Sequence, residues 1–260
     1  MTLTGTDLED LRYATLLLEE PGLTSRVLNV VGVPLERGFK YLPRSWYGQV
    51  EKISEKVLAE AFDFAVLRLG RGGVIRPSSD TFHKVAVAVS GGVGGLFGLG
   101  ALGFELSVST LLMLRSIADI ARSEGEHVVD VETRLACLEV FALGGSGEGD
   151  DAGEAGYYAV RAALSKVVSD AARFIADRGL ADRTAPILVR FISRIASRFG
   201  VVVSEKAAAS AIPIVGAAGG SVINTIFMDH FQDTARGHFI VRRLERTHGR
   251  ETVEAVYRDL

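Results

Sequence analysis

The chain has 260 residues, with 29 basic and 32 acidic side chains and a formal net charge of −3. This balance gives no strong positive field, so we expect no nucleic-acid partner. The single cysteine, Cys137, excludes an intramolecular disulfide and a cysteine-based zinc site, and it fits a reducing, cytoplasmic compartment. Because no basic segment precedes an apolar run at the N-terminus, we expect no signal peptide.

Apolar residues recur three and four positions apart through most of the chain, which predicts an all-α fold. A capping box of Thr6 and Glu9 predicts the start of the first helix. A short helical segment interrupted near Pro34 follows, and residues 46–69 carry the apolar stripe of an amphipathic helix. The helical pattern is least regular over residues 1–45.

Residues 85–104 form an uncharged run of twenty positions that contains seven glycines. A helix of this length is long enough to cross a bilayer. Glycines four positions apart let another helix approach closely, and this spacing joins Gly91 to Gly95 and Gly94 to Gly98. We therefore predict that the run packs closely against another helix.

Three further helices and one long loop are predicted after this run. The first helix extends to Glu124, the second is capped by Asp130, and the third covers about residues 157–177. The glycine-rich, acidic segment 144–156 separates the last two, and we expect it to be a flexible loop.

A helix with Pro186 in its first turn carries three arginines on one face: Arg190, Arg194 and Arg198. A basic amphipathic face is typical of a helix that contacts an anionic membrane surface. Two oppositely charged helices that face each other would give the same pattern.

A second uncharged run covers residues 207–228 and contains a Gly216–Gly220 pair. We predict a multi-helix bundle in which the two runs form central, glycine-rich helices. The length of the runs favours contact with a membrane, whereas the low hydropathy of glycine and alanine favours a buried soluble core. A charged helix and a short helix after Gly249 complete one predicted domain over residues 1–260.

Polar side chains border the two runs, where charge is costly unless it is paired or used. The candidate catalytic residues, which would converge beside an apolar pocket, are Glu105, Asp229 and His238. The candidates for a ligand-binding or structural network are Arg115, Asp119, Asn224 and His230. Spacing on one helix predicts that Arg115 pairs with Asp119. It predicts in the same way that His230 pairs with Asp233.

No HExxH, GxSxG or Walker sequence is present, so we predict no metal site and leave the cofactor open.

Two long segments of the chain resemble the EcsC family of bacterial proteins. They are GGVGGLFGLGALGFELSVSTLLMLRSIADIARSEGEHVVDVETRLACLEVFALGG and IPIVGAAGGSVINTIFMDHFQDTARGHFIVRRLERTHG. The residues that carry the resemblance are Glu105, Arg115, Gly125, Phe141, Gly144, Pro213, Gly216, Asn224, Phe227, His238, Phe239, Arg242 and Glu245. The resemblance implies a largely helical, cytoplasmic or membrane-associated bacterial protein, and the family is named for an operon that also encodes an ABC transporter. It implies no set of catalytic residues.

These patterns together lead us to expect a non-enzymatic, membrane-associated helical protein that is accessory to transport or envelope maintenance. We expect it in the cytoplasm, at or in the inner membrane, with lipid or a transporter component as its partner. Two alternatives stay open. One is a hydrolase or metal-dependent enzyme that acts on a lipid-like substrate, and the other is a soluble helical module that binds an apolar ligand.

Overall fold

The computed structural model describes residues 3, 5–19, 22–42, 46–69, 98–145, 156–179, 184–212 and 220–260. Within these ranges the chain forms helices and no strand, which confirms the predicted all-α fold. The helices are α1 (Thr6–Glu19), α2 (Leu23–Val31), α3 (Leu35–Phe39), α4 (Trp46–Arg68), α5 (Gly98–Ser123), α6 (Val131–Leu143), α7 (Tyr157–Arg178), α8 (Pro186–Ala211), α9 (Gly220–His248) and α10 (Arg250–Arg258).

The helix boundaries follow local sequence signals. Helix α1 begins at Thr6, and Pro34 directly precedes α3, as predicted. Pro186 occupies the first position of α8, where a missing N–H group is harmless because that group has no acceptor within the helix. Asp130 lies at the predicted position before α6, although its side chain makes no capping hydrogen bond.

The predicted glycine packing lies mostly outside the described residues. Gly91, Gly95 and Gly216 fall in ranges that the structure does not describe. Gly98 and Gly220 are the first residues of α5 and α9. The close approach of these glycine pairs therefore stays a prediction, as does the flexible loop, since only residues 144, 145 and 156 of it are described.

The second uncharged run does not form one continuous helix. Helix α8 ends at Ala211, Ile212 adopts an extended conformation, and α9 begins at Gly220. Among the helices in the described ranges, none combines the length and the apolar character needed to cross a membrane.

The main hydrophobic core lies where α4, α5, α6, α8 and α9 pack together. At its centre are four buried phenylalanine rings with neighbouring centroids 5.2–6.3 Å apart: Phe141, Phe199, Phe227 and Phe231. A second apolar cluster joins α1, α7 and α10 to the last turns of α9. Helix α9 thus contributes to both cores, while α3 and α4 pack mainly on α8.

Two glycines outside the predicted set allow close helix contacts. A Cβ atom on Gly38 of α3 would lie 2.0 Å from the carbonyl oxygen of Ala208 on α8. A Cβ atom on Gly237 of α9 would lie 3.0 Å from the carbonyl oxygen of Ala14 on α1. Backbone atoms cannot give way as a flexible side chain does, so Gly38 fixes how closely α3 lies on the last turns of α8.

We expect Gly38→Ala to lower the free energy of unfolding by about 1–3 kcal/mol, because the added methyl group must push α3 away from α8. The matched control is Gly48→Ala in α4, where a Cβ atom would meet no other group within 4 Å. That change should stabilise the protein by about 0.5–1 kcal/mol through helix propensity alone. Urea unfolding followed by circular dichroism measures both; equal effects of the two changes would contradict the close contact.

Candidate functional site

A group of buried polar side chains lies where α6, α7 and α9 meet. His238, Arg242 and Glu245 share one face of α9 because they are four and three positions apart. The side chains opposite them come from α7, from α6 and from the turn before α6. We call the set the polar cluster: Glu126, Glu139, Tyr157, Tyr158, Arg161, His238, Arg242 and Glu245.

The first ion pair of the polar cluster joins Arg161 to Glu245. Two N–H groups of Arg161 donate to the two carboxylate oxygens at 2.8 Å each, and the Tyr158 hydroxyl donates to the same carboxylate at 3.0 Å. The guanidinium also lies over the rings of Tyr157 and Tyr158, with its central carbon 5.4 and 5.7 Å from their centroids. Both charges are therefore compensated in a site that largely excludes water.

The second ion pair joins Arg242 to Glu126. Arg242 Nε donates to Glu126 at 2.8 Å, the Thr133 hydroxyl donates to it at 3.0 Å, and Arg246 contacts it as well. Burial opposes ionisation of Glu126, but the hydrogen bond and charge of Arg242 and the charge of Arg246 outweigh it and hold its pKa below its usual range. Glu126 is therefore a carboxylate at neutral pH.

His238 is fully buried in the same cluster. Its Nδ1 atom lies 2.8 Å from the Tyr157 hydroxyl. Burial lowers the pKa of His238 well below its usual value and raises the pKa of Tyr157, so both groups are neutral at pH 7. The two groups share one hydrogen bond, and the Nε2 atom of His238 meets no hydrogen-bond partner among the described residues.

Glu139 adds a buried carboxyl group to the cluster. Burial raises its pKa, while the positive charges of Arg161 and Arg242 oppose that shift. The cluster therefore contains two groups whose charged forms burial disfavours, His238 and Glu139, together with the two paired arginines. Such an arrangement can hold a proton or donate hydrogen bonds, and it provides no activated nucleophile.

The structure does not bring the three candidate catalytic residues together. Glu105 Oε1 lies 2.7 Å from Lys206 Nζ, whereas Asp229 is exposed on α9. Lys206 contacts the ring of Phe227 on α9. His238 lies eleven residues further along the same helix, which is a distance of roughly 16 Å. Glu105 and His238 therefore lie at different levels of the bundle, and their catalytic role stays a prediction.

The other candidate polar residues find different partners from those that helix spacing predicts. Asp119 accepts a hydrogen bond from Arg122, and the His230 Nε2 atom lies 2.7 Å from the carbonyl oxygen of Gly144. Asp233, the predicted partner of His230, pairs with Arg26 of α2 at 2.7 Å. The remaining two candidates are half-buried on α5 and α9: Arg115 and Asn224.

A second feature lies at the end of the bundle where α5 and α9 begin and α8 ends; we call it the apolar end. Lys206 is only 2% exposed there, and its Nζ atom lies 2.7 Å from Glu105 and 4.5 Å from the ring centroid of Phe227. Burial lowers the pKa of Lys206, and the Glu105 carboxylate opposes this shift. The sequence pattern identified Glu105 but missed Lys206, although its place directly before the second uncharged run was a usable signal.

The predicted arginine face of α8 has two separate roles. Arg198 donates to the carbonyl oxygen of Ala142 at 2.9 Å and also contacts that of Gly145, so it holds the last turn of α6. Arg190 and Arg194 are exposed. With exposed residues of α7 they form what we call the basic surface: Lys166, Arg173, Arg178, Arg190 and Arg194.

The described chain is thus a helical bundle in which the long helix α9 has the paired polar cluster beside its last turns and the apolar end, with the Lys206–Glu105 pair, beside its first turns. It belongs to the EcsC protein family, whose model matches residues 49–244. No curated protein and no solved structure matches the chain. The family match includes Lys206, His238 and Arg242, whereas α1, α2, α3 and α10 lie outside it.

We expect Glu245→Gln to lower the free energy of unfolding by about 3–5 kcal/mol, because it leaves the Arg161 charge buried without its counter-ion. The double change of Arg161 and Glu245 to Met should cost less than this single change, since it removes both charges. Glu254→Gln is the surface control. Its partners Arg250 and Arg258 are exposed, so it should cost less than about 1 kcal/mol in the same denaturant titration. A loss for Glu245→Gln no larger than that of the control would contradict a buried pair.

We expect the stability of the protein to fall as the pH drops from about 6.5 to about 4. Burial lowers the pKa of His230 to about 4, with the hydrogen bond to Gly144 opposing the shift. The unfolded chain therefore takes up this proton at a higher pH than the folded chain, and the difference corresponds to roughly 3 kcal/mol. His238 contributes in the same direction.

His230→Gln tests this pH dependence because glutamine can still donate to Gly144 but cannot take up the proton. Its stability should fall less steeply than that of the unmodified protein between pH 6.5 and 4, as measured by urea unfolding at a series of pH values. Parallel pH profiles for the two proteins would show that His230 is not buried in its neutral form.

Proposed function

We propose that this EcsC-family protein attaches to a membrane through its apolar end and serves transport or envelope maintenance without catalysing a reaction itself. The observation that carries the proposal is the contact of Glu105 with Lys206. Glu105 directly follows the first uncharged run, and Lys206 directly precedes the second. Their contact brings the last residues of the first run close to the first residues of the second at one end of the bundle.

The surroundings of this contact also favour lipid as the partner. Lys206 is enclosed by a carboxylate and an aromatic ring, so its charge is shielded from the uncharged residues that follow it. Helix α9 carries no charged residue before Asp229. Val222 in its first turn is exposed. Uncharged segments with apolar side chains on the surface suit contact with the boundary between lipid headgroups and acyl chains.

The basic surface supports a second mode of attachment. None of its five side chains makes an ion pair within the described ranges, and the segment from Arg161 to Lys206 holds nine basic and four acidic residues. Exposed, unpaired basic groups are attracted to anionic lipid. Along α8, Arg190 lies seventeen residues from Ala207, which is about 25 Å, so this attachment would use the other end of the helix.

Salt dependence separates the two modes of attachment. We expect the purified protein to float with vesicles made of phosphatidylglycerol and phosphatidylcholine, and to stay bound in high salt, because contacts of apolar groups are not screened. In cells it should resist release from membranes by a high-salt wash. Release by salt, together with loss of flotation in the variant Arg190→Glu with Arg194→Glu, would assign attachment to the basic surface instead. A protein that does not bind the vesicles at any salt concentration would contradict both.

A further inference from the structure

The N-terminal helices carry large apolar side chains that face solvent. Leu28 is 42% exposed, and Val30 and Tyr41 are each 60% exposed. All three belong to α2, to α3 or to the residues that directly follow α3. Scattered exposed apolar residues are normal. Leu28 and Val30 are two positions apart and so face different sides of α2, which leaves Val30, at the end of α2, and Tyr41, just after α3, as the apolar pair for one surface.

This segment packs on the last turns of α8. Thr24 of α2 hydrogen-bonds the Glu205 side chain, and Gly38 of α3 lies against the backbone of Ala208. Glu205 is next to Lys206, and Ala208 belongs to the second uncharged run. The exposed apolar side chains of α2 and α3 are therefore carried by helices seated beside the apolar end.

Basic side chains accompany the apolar ones. Arg37 and Lys40 are exposed, and neither makes an ion pair in the described part of the chain; Glu36 is the one exposed acid beside them. Lysine and arginine place their charged groups at lipid phosphates while their stems cover apolar surface. Tyrosine is enriched at the same depth, where its ring is apolar and its hydroxyl is hydrated.

We infer that four of these residues form a membrane-contact patch for an anionic lipid bilayer, which we call the α2–α3 patch: Val30, Arg37, Lys40 and Tyr41. The inference rests on the proposed function and extends it to residues outside the family match at 49–244. Val30 and Tyr41 lie at the boundary between headgroups and acyl chains, and Arg37 and Lys40 contact phosphates. Continuity with the apolar end and the excess of positive charge favour lipid over a protein partner.

The first test compares two sets of substitutions at exposed apolar positions. We expect Val30→Glu combined with Tyr41→Glu to weaken binding to phosphatidylglycerol and phosphatidylcholine vesicles at least about tenfold, because two charges would enter the lipid interface. Val129→Glu is the matched control. Val129 is 65% exposed. Arg134 donates hydrogen bonds to the carbonyl oxygens of Val129 and Val66, and Val66 lies one turn after Phe62, whose ring contacts Phe191. Val129 is therefore near the start of α8, whereas α3 packs on the last turns of that helix. This change should leave vesicle binding unaltered, and circular dichroism should show full helix content in both variants.

The second test measures whether position 41 enters the lipid interface when vesicles are added. Cys137 is fully buried, and burial raises the pKa of its thiol to about 12, so it does not react with a thiol-directed dye in the folded protein. An environment-sensitive fluorophore on Tyr41→Cys should shift its emission to the blue when vesicles are added. The same dye on Val129→Cys should not.

The outcomes separate this inference from the proposed function. If the unmodified protein binds the vesicles, but the Val30 and Tyr41 variant binds equally well and the dye at position 41 stays unshifted, the α2–α3 patch is excluded and attachment at the apolar end stands. If the unmodified protein does not bind at all, both fail. If the dye at position 41 shifts with vesicles of phosphatidylcholine alone to the same extent as with phosphatidylglycerol present, the assigned role of Arg37 and Lys40 is overturned.

Discussion

The pairing of charged side chains along α9 is the constraint on which the rest of the fold depends. The last three turns of this helix pass between α1, α5, α6 and α7, and a charge removed from water there must find a partner. Arg242 pairs with Glu126 in the turn between α5 and α6, Glu245 pairs with Arg161 of α7, and Arg243 pairs with Asp10 of α1. Each pair joins segments far apart in sequence, so together they fix the positions of three helices relative to one.

This arrangement explains why α1 and α10 belong to the described structure although the family match does not include them. Glu19, at the end of α1, accepts hydrogen bonds from the Tyr257 hydroxyl of α10 at 2.7 Å and from the backbone N–H of Tyr157 at 3.3 Å. The two terminal helices therefore cover the tyrosine side of the polar cluster. By keeping water from Arg161 and Glu245 they strengthen that pair, since an ion pair gains more in a low-dielectric site than at the surface.

Most helices could be predicted from the sequence, because apolar spacing, Pro34, Pro186 and Gly249 act within a few residues. The partners of the polar residues could not. Spacing on one helix predicted pairs such as His230 with Asp233, which gain only about 0.2–0.5 kcal/mol. The partners found instead, Gly144 for His230 and Arg26 for Asp233, come from distant segments that no local pattern identifies. For the same reason Glu105 was recognised as unusual, while its partner Lys206, 101 positions away, was not.

The glycines also show that a local sequence pattern does not identify which distant segments come into contact. The sequence directed attention to glycines in GxxxG pairs, yet the close approaches in the described ranges occur at single glycines such as Gly38 and Gly237. A close helix contact requires one small residue at the crossing point, and the crossing point is set by the whole bundle. The spacing of glycines therefore indicates where a helix can approach closely, whereas the packing of the whole bundle determines which approach is made.

The two halves of α9 differ in chemistry, and this difference connects the fold to the proposed function. The helix has 29 residues and is therefore about 43 Å long. Its first nine residues are uncharged and belong to the apolar end, whereas its last eleven contain His238, Arg242 and Glu245 of the polar cluster. Ile223, Ile226 and Phe227 of the first half are buried in the main core, whereas Val222 is exposed. In the proposed attachment, the exposed side of this half, at Val222, would therefore meet lipid, and the paired charges of the distal half would stay in the polar cluster, away from the bilayer.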